Sequence, residues 1–196
     1  MLVNPKVPAE SVQQLIAHAQ ANPGKLNFAT AGVGSTAHLS NELFYSLSKT
    51  TGTNVAYQGI APATTSMLAG ETDVIFDAMG NSLGNVKAGR LRAIAVAGPK
   101  RSSALPDVPT VGETLPGFES SLWTAMAAPP KMPPALAEKI SADVREALKH
   151  PDFVARFANT PGLEAVGSMP AEMAAITRAE RDRWAAIIKS AGIKPE

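Results

Sequence analysis

The sequence predicts an α/β fold, and three observations carry that expectation. Short apolar or alternating runs recur between stretches with helical spacing. One of those runs opens through a glycine loop into a helix, the strand, loop and helix unit of layered α/β proteins. Between residues 98 and 117 regular patterning stops, because Pro99, Pro106, Pro109 and Pro116 hold the chain extended or turned and withhold ladder donors. The composition suits a folded chain: 196 residues, 45% hydrophobic and 18% charged, with a mean hydropathy of +0.01, too apolar for disorder.

Taken in order, Ser11 is a good helix N-cap with Gln14 three residues on, as in a capping box. Val12, Leu15, Ile16 and Ala19 line one face of a helix ending near Asn22-Pro23-Gly24. Residues 26–30 alternate as a short strand, Ala31-Gly32-Val33-Gly34-Ser35 forms the glycine loop, and Leu39, Leu43, Phe44 and Leu47 mark the helix after it. Further strands are predicted at residues 53–57, 73–77 and 92–97, with short helices at residues 62–69 and 82–88 between them. After the proline-rich connector, residues 120–128 form an apolar run around Trp123, short enough for a buried strand, and Pro129-Pro130 ends it near a domain boundary. Leu136, Ile140, Val144 and Leu148 then repeat at helical spacing, a shorter helix runs through Phe153 and Phe157, and a turn at Pro161-Gly162 leads into residues 163–166. The last helix begins near Pro170, a favoured first-turn residue, and carries Met173, Ile176, Trp184, Ile187 and Ile188 towards Gly192 as its C-cap.

Charge and composition exclude several classes. Eighteen Lys and Arg against 17 Asp and Glu leave +1, with no basic block to displace counterions from phosphates, so nucleic acid is set aside as a partner. No apolar stretch approaches the roughly 20 residues that cross a bilayer, and the start, Met1-Leu2-Val3-Asn4-Pro5, lacks the charged and apolar regions of a signal peptide. The absence of cysteine removes disulfides, cysteine zinc sites and thiol catalysis. Because a helical pattern begins almost at once after Val7-Pro8-Ala9, Met1 is expected to be an internal start.

The strongest local feature is residues 30–39, from Thr30 to Leu39 through Gly32, Gly34, Ser35, Thr36 and His38. At the carboxyl end of a strand two glycines let backbone approach a ligand, and the following helix offers unpaired N–H groups and a positive dipole end, which together bind anions. A tight strand-to-helix turn with Ser35 as N-cap accounts for the same residues. Tyr57-Gln58-Gly59-Ile60-Ala61-Pro62 closes the next strand and opens another helix, and Asp77 closes a third. In open parallel sheets ligands lie outside the carboxyl ends of strands, where these loops would converge. Tyr57 equally suits the edge of a core, and Asp77 suits a helix cap or turn better than direct contact, because a lone carboxylate would repel an anionic ligand.

Two other classes use the same loop. A nucleotide-binding module would use Gly32 and Gly34, but Ala37 stands in the third glycine's place and Gln58 follows the next strand where a ribose-binding acid belongs. A hydrolase or transferase would pair Ser35 with His38, with no orienting acid or oxyanion hole evident. His18, His38 and His150 show no metal-ligand spacing, and neither metal nor cofactor is expected. Residues 178–183 mix signs as a solvated helical face.

These residues resemble the substrate-binding receptor proteins of tripartite tricarboxylate transporters, the Bug family. The stretches that carry the resemblance include Val3-Asn4-Pro5-Lys6-Val7-Pro8-Ala9, Asn22-Pro23-Gly24-Lys25-Leu26-Asn27, the glycine loop with His38-Leu39, and Tyr57-Gln58-Gly59-Ile60-Ala61-Pro62-Ala63. Gly70-Glu71-Thr72-Asp73-Val74-Ile75-Phe76-Asp77, Lys87-Ala88-Gly89-Arg90-Leu91-Arg92-Ala93, Leu105-Pro106-Asp107-Val108-Pro109-Thr110-Val111 and Ala191-Gly192-Ile193-Lys194 continue it in order along the chain.

The resemblance implies a type II periplasmic-binding fold, here one complete α/β lobe over residues 2–120 and an incomplete second lobe, the returning C-terminal part of the family's first lobe, over residues 121–196. It implies a periplasmic receptor that captures a small carboxylate between two lobes for membrane transporter subunits, without catalysis. Gly32, Gly34, Ser35, Thr36 and His38 correspond to a binding loop of backbone amides and hydroxyls, with Tyr57, Gly59 and Asp77 flanking the cleft. Gln58 departs from the lysine frequent in the family. Relatives usually carry a signal peptide and the other lobe's main binding loop ahead of the stretch matching Val3. An incomplete lobe is expected to expose apolar surface and to self-associate.

Overall fold

A computed structural model describes residues 1–194. The elements are β1 (Leu2–Val3), α1 (Val12–Ala21), β2 (Asn27–Thr30), α2 (Thr36–Ser48), β3 (Thr53–Ala56), α3 (Ile60–Ala69), β4 (Val74–Ile75), α4 (Met79–Lys87), β5 (Arg92–Ala93), α5 (Val111–Thr114), α6 (Pro134–Leu148), α7 (Pro151–Ala158) and α8 (Pro170–Ala191). The chain forms two compact units, one of Met1–Leu122 with the chain from Ile187 on, the other of Trp123–Ala186.

The first unit is built on a five-stranded sheet in the order β3-β2-β4-β1-β5. β2 runs parallel to β3 and to β4, while β1 is antiparallel to β4 and β5. Successive side chains on a strand point to opposite faces, so β2 feeds two layers. Phe28 meets Tyr45 of α2 edge-on at 4.9 Å between centroids, with Phe44 at 6.0 Å. Ala29 joins Ala63 and Met67 of α3, together with Leu2, Ile75 and Leu91. Burying a side chain as large as Phe28 or Met67 contributes roughly 1.5–3 kcal/mol. Gly52 is required for space: a Cβ there would lie 2.7 Å from the Tyr45 hydroxyl and 2.9 Å from the Phe28 ring.

The second unit is helical. Its two phenylalanines, Phe153 and Phe157, stack at 6.1 Å on α7, and no described side chain of residues 123–186 reaches full burial. Leu122, at 71%, and Met126, at 75% exposed, stand in a segment without regular structure. The strand predicted at residues 120–128 therefore does not form: no neighbouring strand among the described residues offers it a ladder. Residues 163–166 likewise have no regular structure.

Several boundaries move for local reasons. The Ser11 side chain accepts from Gln14 N–H at 3.2 Å, but the Gln14 carbonyl receives Glu10 N–H at 2.7 Å, so the reciprocal arm of the capping box reaches one residue further back. α3 starts at Ile60 because Gly59, at φ 110°, turns the chain there, leaving Pro62 in the third helical position. α4 starts at Met79, three residues ahead of its predicted start, next to the side chain of Asp77. β1 escapes sequence reasoning altogether, being two residues long and paired on both sides with distant strands.

Candidate functional site

Three neighbouring parallel strands, β3, β2 and β4, deliver their carboxyl ends to one edge of the sheet, and the loops there hold every sequence-predicted site residue. After β2 the Thr30 hydroxyl accepts Gly32 N–H at 3.3 Å, and Ser35 N–H donates to Gly32 O at 3.2 Å. Gly32 and Gly34 take φ of 122° and 74°, a region that glycine enters without strain. Ser35 caps α2, its hydroxyl accepting His38 N–H at 3.3 Å. Thr36 and Ala37 N–H open the helix without a hydrogen-bond partner among the described residues.

β3 brings a second helix start beside this one. Tyr57 N–H donates to Thr30 O at 3.0 Å, and a Cβ on Gly32 would lie 3.7 Å from Tyr57 O, so the two loops run side by side. Gly59 caps α3 without a side chain, and Ile60 and Ala61 N–H have no partner among the described residues. Tyr57 itself is half-buried and packs against the cluster around Ala63 and Met67.

Asp77 closes the third strand end, and its oxygens are spent locally. Ala78 N–H donates to it at 2.7 Å, the Asn81 amide at 3.1 Å, the Thr64 hydroxyl at 3.5 Å, and the buried Ser82 hydroxyl donates as well. Asp77 thus ties the start of α4 to α3. The loops themselves, residues 31–38, 57–62 and 77–82, contain no Lys or Arg.

The His38 ring makes no hydrogen bond to the Ser35 hydroxyl. Its Nδ1 accepts Gly34 N–H at 3.0 Å and its Nε2 lies 3.7 Å from Glu42 Oε1, so the Ser35 and His38 side chains do not form a nucleophile and base pair. Glu42 and Asn54, which donates to Glu42 at 2.6 Å, were not singled out by sequence reasoning. The spacing of His38 and Glu42, four residues apart on a helix, is the signal that could have found them. His18 sits beside Asn22 at 3.5 Å, and His150 accepts Asp152 N–H at the start of α7 at 3.4 Å. Among the described residues no three His, Asp or Glu side chains gather as a metal would require.

Residues 1–193 match the tripartite tricarboxylate transporter family receptor. The chain is 35% identical over 188 residues to the UPF0065 protein in the tcbD-tcbE intergenic region of Pseudomonas sp. strain P51, covering 93% of this chain and 56% of that protein. It is 32% identical to Protein BugT of Bordetella pertussis over 195 residues, 99% of this chain and 60% of the relative. The chain thus spans less than two thirds of the length of these curated relatives. Among solved structures, R. palustris Rpa4515 with adipate superposes with a TM-score of 0.87 at 31% identity, covering 100% of this chain and 66% of that one. MatC from Rhodopseudomonas palustris with bound malate gives 0.82 at 28% identity, covering 95% and 65%.

Proposed function

Because the chain belongs to the tripartite tricarboxylate transporter family of receptors, we propose that it is part of a periplasmic receptor that captures a small carboxylic acid and delivers it unchanged to membrane transporter subunits. Residues 2–120 supply one lobe, and residues 121–196, whose stretch Trp123–Ala186 forms the second compact unit, the returning part of the other. One carboxylate of the ligand is held where α2 and α3 begin, by the open N–H groups of Thr36, Ala37, Ile60 and Ala61, the Thr36 hydroxyl, and backbone exposed by Gly32, Gly34 and Gly59. Ser35 and Asp77 hold the loops, and Tyr57 borders the site.

The observation that carries this proposal is the pair of helix starts set side by side by the Tyr57 to Thr30 hydrogen bond. Each start presents a partial charge of roughly +0.5, so the two together match about one carboxylate. The adipate and malate bound by structural neighbours support a small dicarboxylate as the ligand class. The ring nitrogens of His38, engaged by Gly34 and Glu42, speak against hydrolase chemistry at this loop.

Calorimetry of the chain with adipate, malate, ATP and NAD, beside an assay of ester hydrolysis, tests the proposal. Binding of either diacid with no ester turnover is expected; affinity for the nucleotides alone, or turnover of the ester, would overturn it. Exposed Leu122, Met126 and Val166, at 71%, 75% and 75%, support self-association of the chain on its own. A monodisperse monomer in sedimentation velocity would count against that part.

A further inference from the structure

The hydrogen bonds around His38 assign it a role different from touching ligand. A backbone N–H can only donate, so the 3.0 Å contact from Gly34 requires a bare lone pair on His38 Nδ1 and leaves the ring proton on Nε2. That proton faces Glu42 Oε1 at 3.7 Å. Glu42 is itself held by the Asn54 amide at 2.6 Å, and the Asn54 carbonyl receives the amide of the fully buried Asn41 at 2.8 Å. The Gly34 hydrogen bond sets the tautomer, and the Glu42 carboxylate, too far for a hydrogen bond, favours a proton on the nitrogen that faces it. The side chain is only 12% exposed, and its two nitrogens point to partners within the first unit.

We infer that His38 is a positioning residue for the carboxylate site: its neutral Nδ1 takes the Gly34 N–H and locks the glycine loop, while the Glu42 carboxylate, itself held by Asn54, faces Nε2 and favours the proton there. Gly34 lies at φ 74°, in open space, with Gly32 O engaged by Ser35 N–H on its other side. Without the imidazole nothing among the described residues takes the Gly34 amide, and that amide is free to turn. The loop would then lose the single shape in which Thr36 and Ala37 N–H stand ready, and part of the ligand's binding energy would go into restoring it. This role rests on the loop being the carboxylate site.

The test has two parts. The ring tautomer and the Gly34 amide are read by NMR in the ligand-free chain, from the imidazole nitrogen shifts and from amide exchange in wild type and in His38→Ala. Affinity for adipate and malate is read by calorimetry in His38→Ala, His38→Gln and His38→Asn, since the Asn oxygen reaches the place of Nδ1 and the Gln oxygen that of Nε2. We expect an Nε2-protonated ring and a Gly34 amide that exchanges faster in His38→Ala. The Ala and Gln variants are expected to bind roughly tenfold more weakly, the scale of one lost hydrogen bond, and Asn to recover most of that loss. Unchanged affinity in His38→Ala, or equal loss in the Asn and Gln variants, would overturn the role and return His38 to a ligand contact or a bystander. If wild type binds neither diacid, the carboxylate function fails by itself; a ring protonated on Nδ1, or Gly34 exchange indifferent to His38→Ala, then overturns the positioning role independently.

Discussion

In a polypeptide that begins at Met1, the free α-amine makes a prediction whose size follows from the structure. Met1 is 5% exposed, and its α-amine nitrogen donates to Ala95 O at 2.7 Å, while Ile94 N–H returns to Met1 O at 3.1 Å. Burial drives this group from the usual 8.0 down to about 5, with the Asp77 charge opposing the shift. Between those values the unfolded chain holds a proton that the folded chain refuses, so stability falls as the pH drops from 8 towards 5 and levels off below. Three pH units at 1.36 kcal/mol each make a full penalty of about 4 kcal/mol, of which about 2 kcal/mol is present at pH 6.5. Acetylating the α-amine, or placing a glycine ahead of Met1, replaces the ammonium by an uncharged amide that can still donate to Ala95 O. Urea unfolding followed by far-UV circular dichroism should find the blocked chain about 3 kcal/mol more stable at pH 5.5 and nearly equal to the parent at pH 8.5. A difference independent of pH, or a parent chain that gains stability on acidification relative to the blocked one, would refute the assignment of the penalty to this amine.

Gly34→Val places a β-branched residue at φ 74° with nothing within 4 Å of its Cβ, so its cost is backbone strain of about 1–3 kcal/mol. The chain should stay folded by circular dichroism and lose diacid binding in calorimetry, and retained affinity would remove the loop from the site. Asp77→Ala strands the buried Ser82 hydroxyl, and should cost about 1–3 kcal/mol in urea titration. Gly52→Ala drives a Cβ to 2.9 Å from the buried Phe28 ring, and about 1–3 kcal/mol of overpacking should appear as a lower Tm. Amide exchange should separate the units: β2 and α2 slow, α6 and the part of α8 before Ile187 fast, because no described side chain of residues 123–186 is fully buried.

The layered part of the fold was legible because its signals are local. Ser11 and Ser35 mark helix starts by side-chain chemistry, and Phe28 and Ala29 show the period of two that feeds both faces of a sheet. β1 was not legible, since Leu2 and Val3 become a strand only through pairing with Ile75 and Ala93, far away in the chain. The apolar run around Trp123 misled for the complementary reason: its composition suits a strand, but strand formation needs a partner ladder that composition does not supply. At the site, the loops could be found from glycine and from strand ends, whereas the division of labour within them could not. For Asp77 the sequence already offered a helix cap, which its hydrogen bonds at the start of α4 select, whereas His38 carries chemistry often used on ligands and only the structure reveals that it faces Gly34 and Glu42.

That division bears on how the proposed site, without Lys or Arg, would hold an acid. The half-charges of two helix starts are fixed by the parallel strands beneath them, so the cost of orienting the donors is met when the sheet folds and not when the ligand arrives. Asp77, the one formal charge in the three loops, is matched by donors from Thr64, Ala78, Asn81 and Ser82, which reduces its repulsion of an incoming carboxylate. Hydrogen bonds to a charged group contribute about 1.5–3 kcal/mol each. Two or three of them are set against an association cost of at least about 4 kcal/mol. The donors at α2 and α3 alone therefore fall short of the roughly 8 kcal/mol of micromolar capture. The remaining affinity has to come from contacts to the rest of the ligand, and a diacid, whose second carboxylate offers another charged anchor, is better suited to supply it than a monoacid.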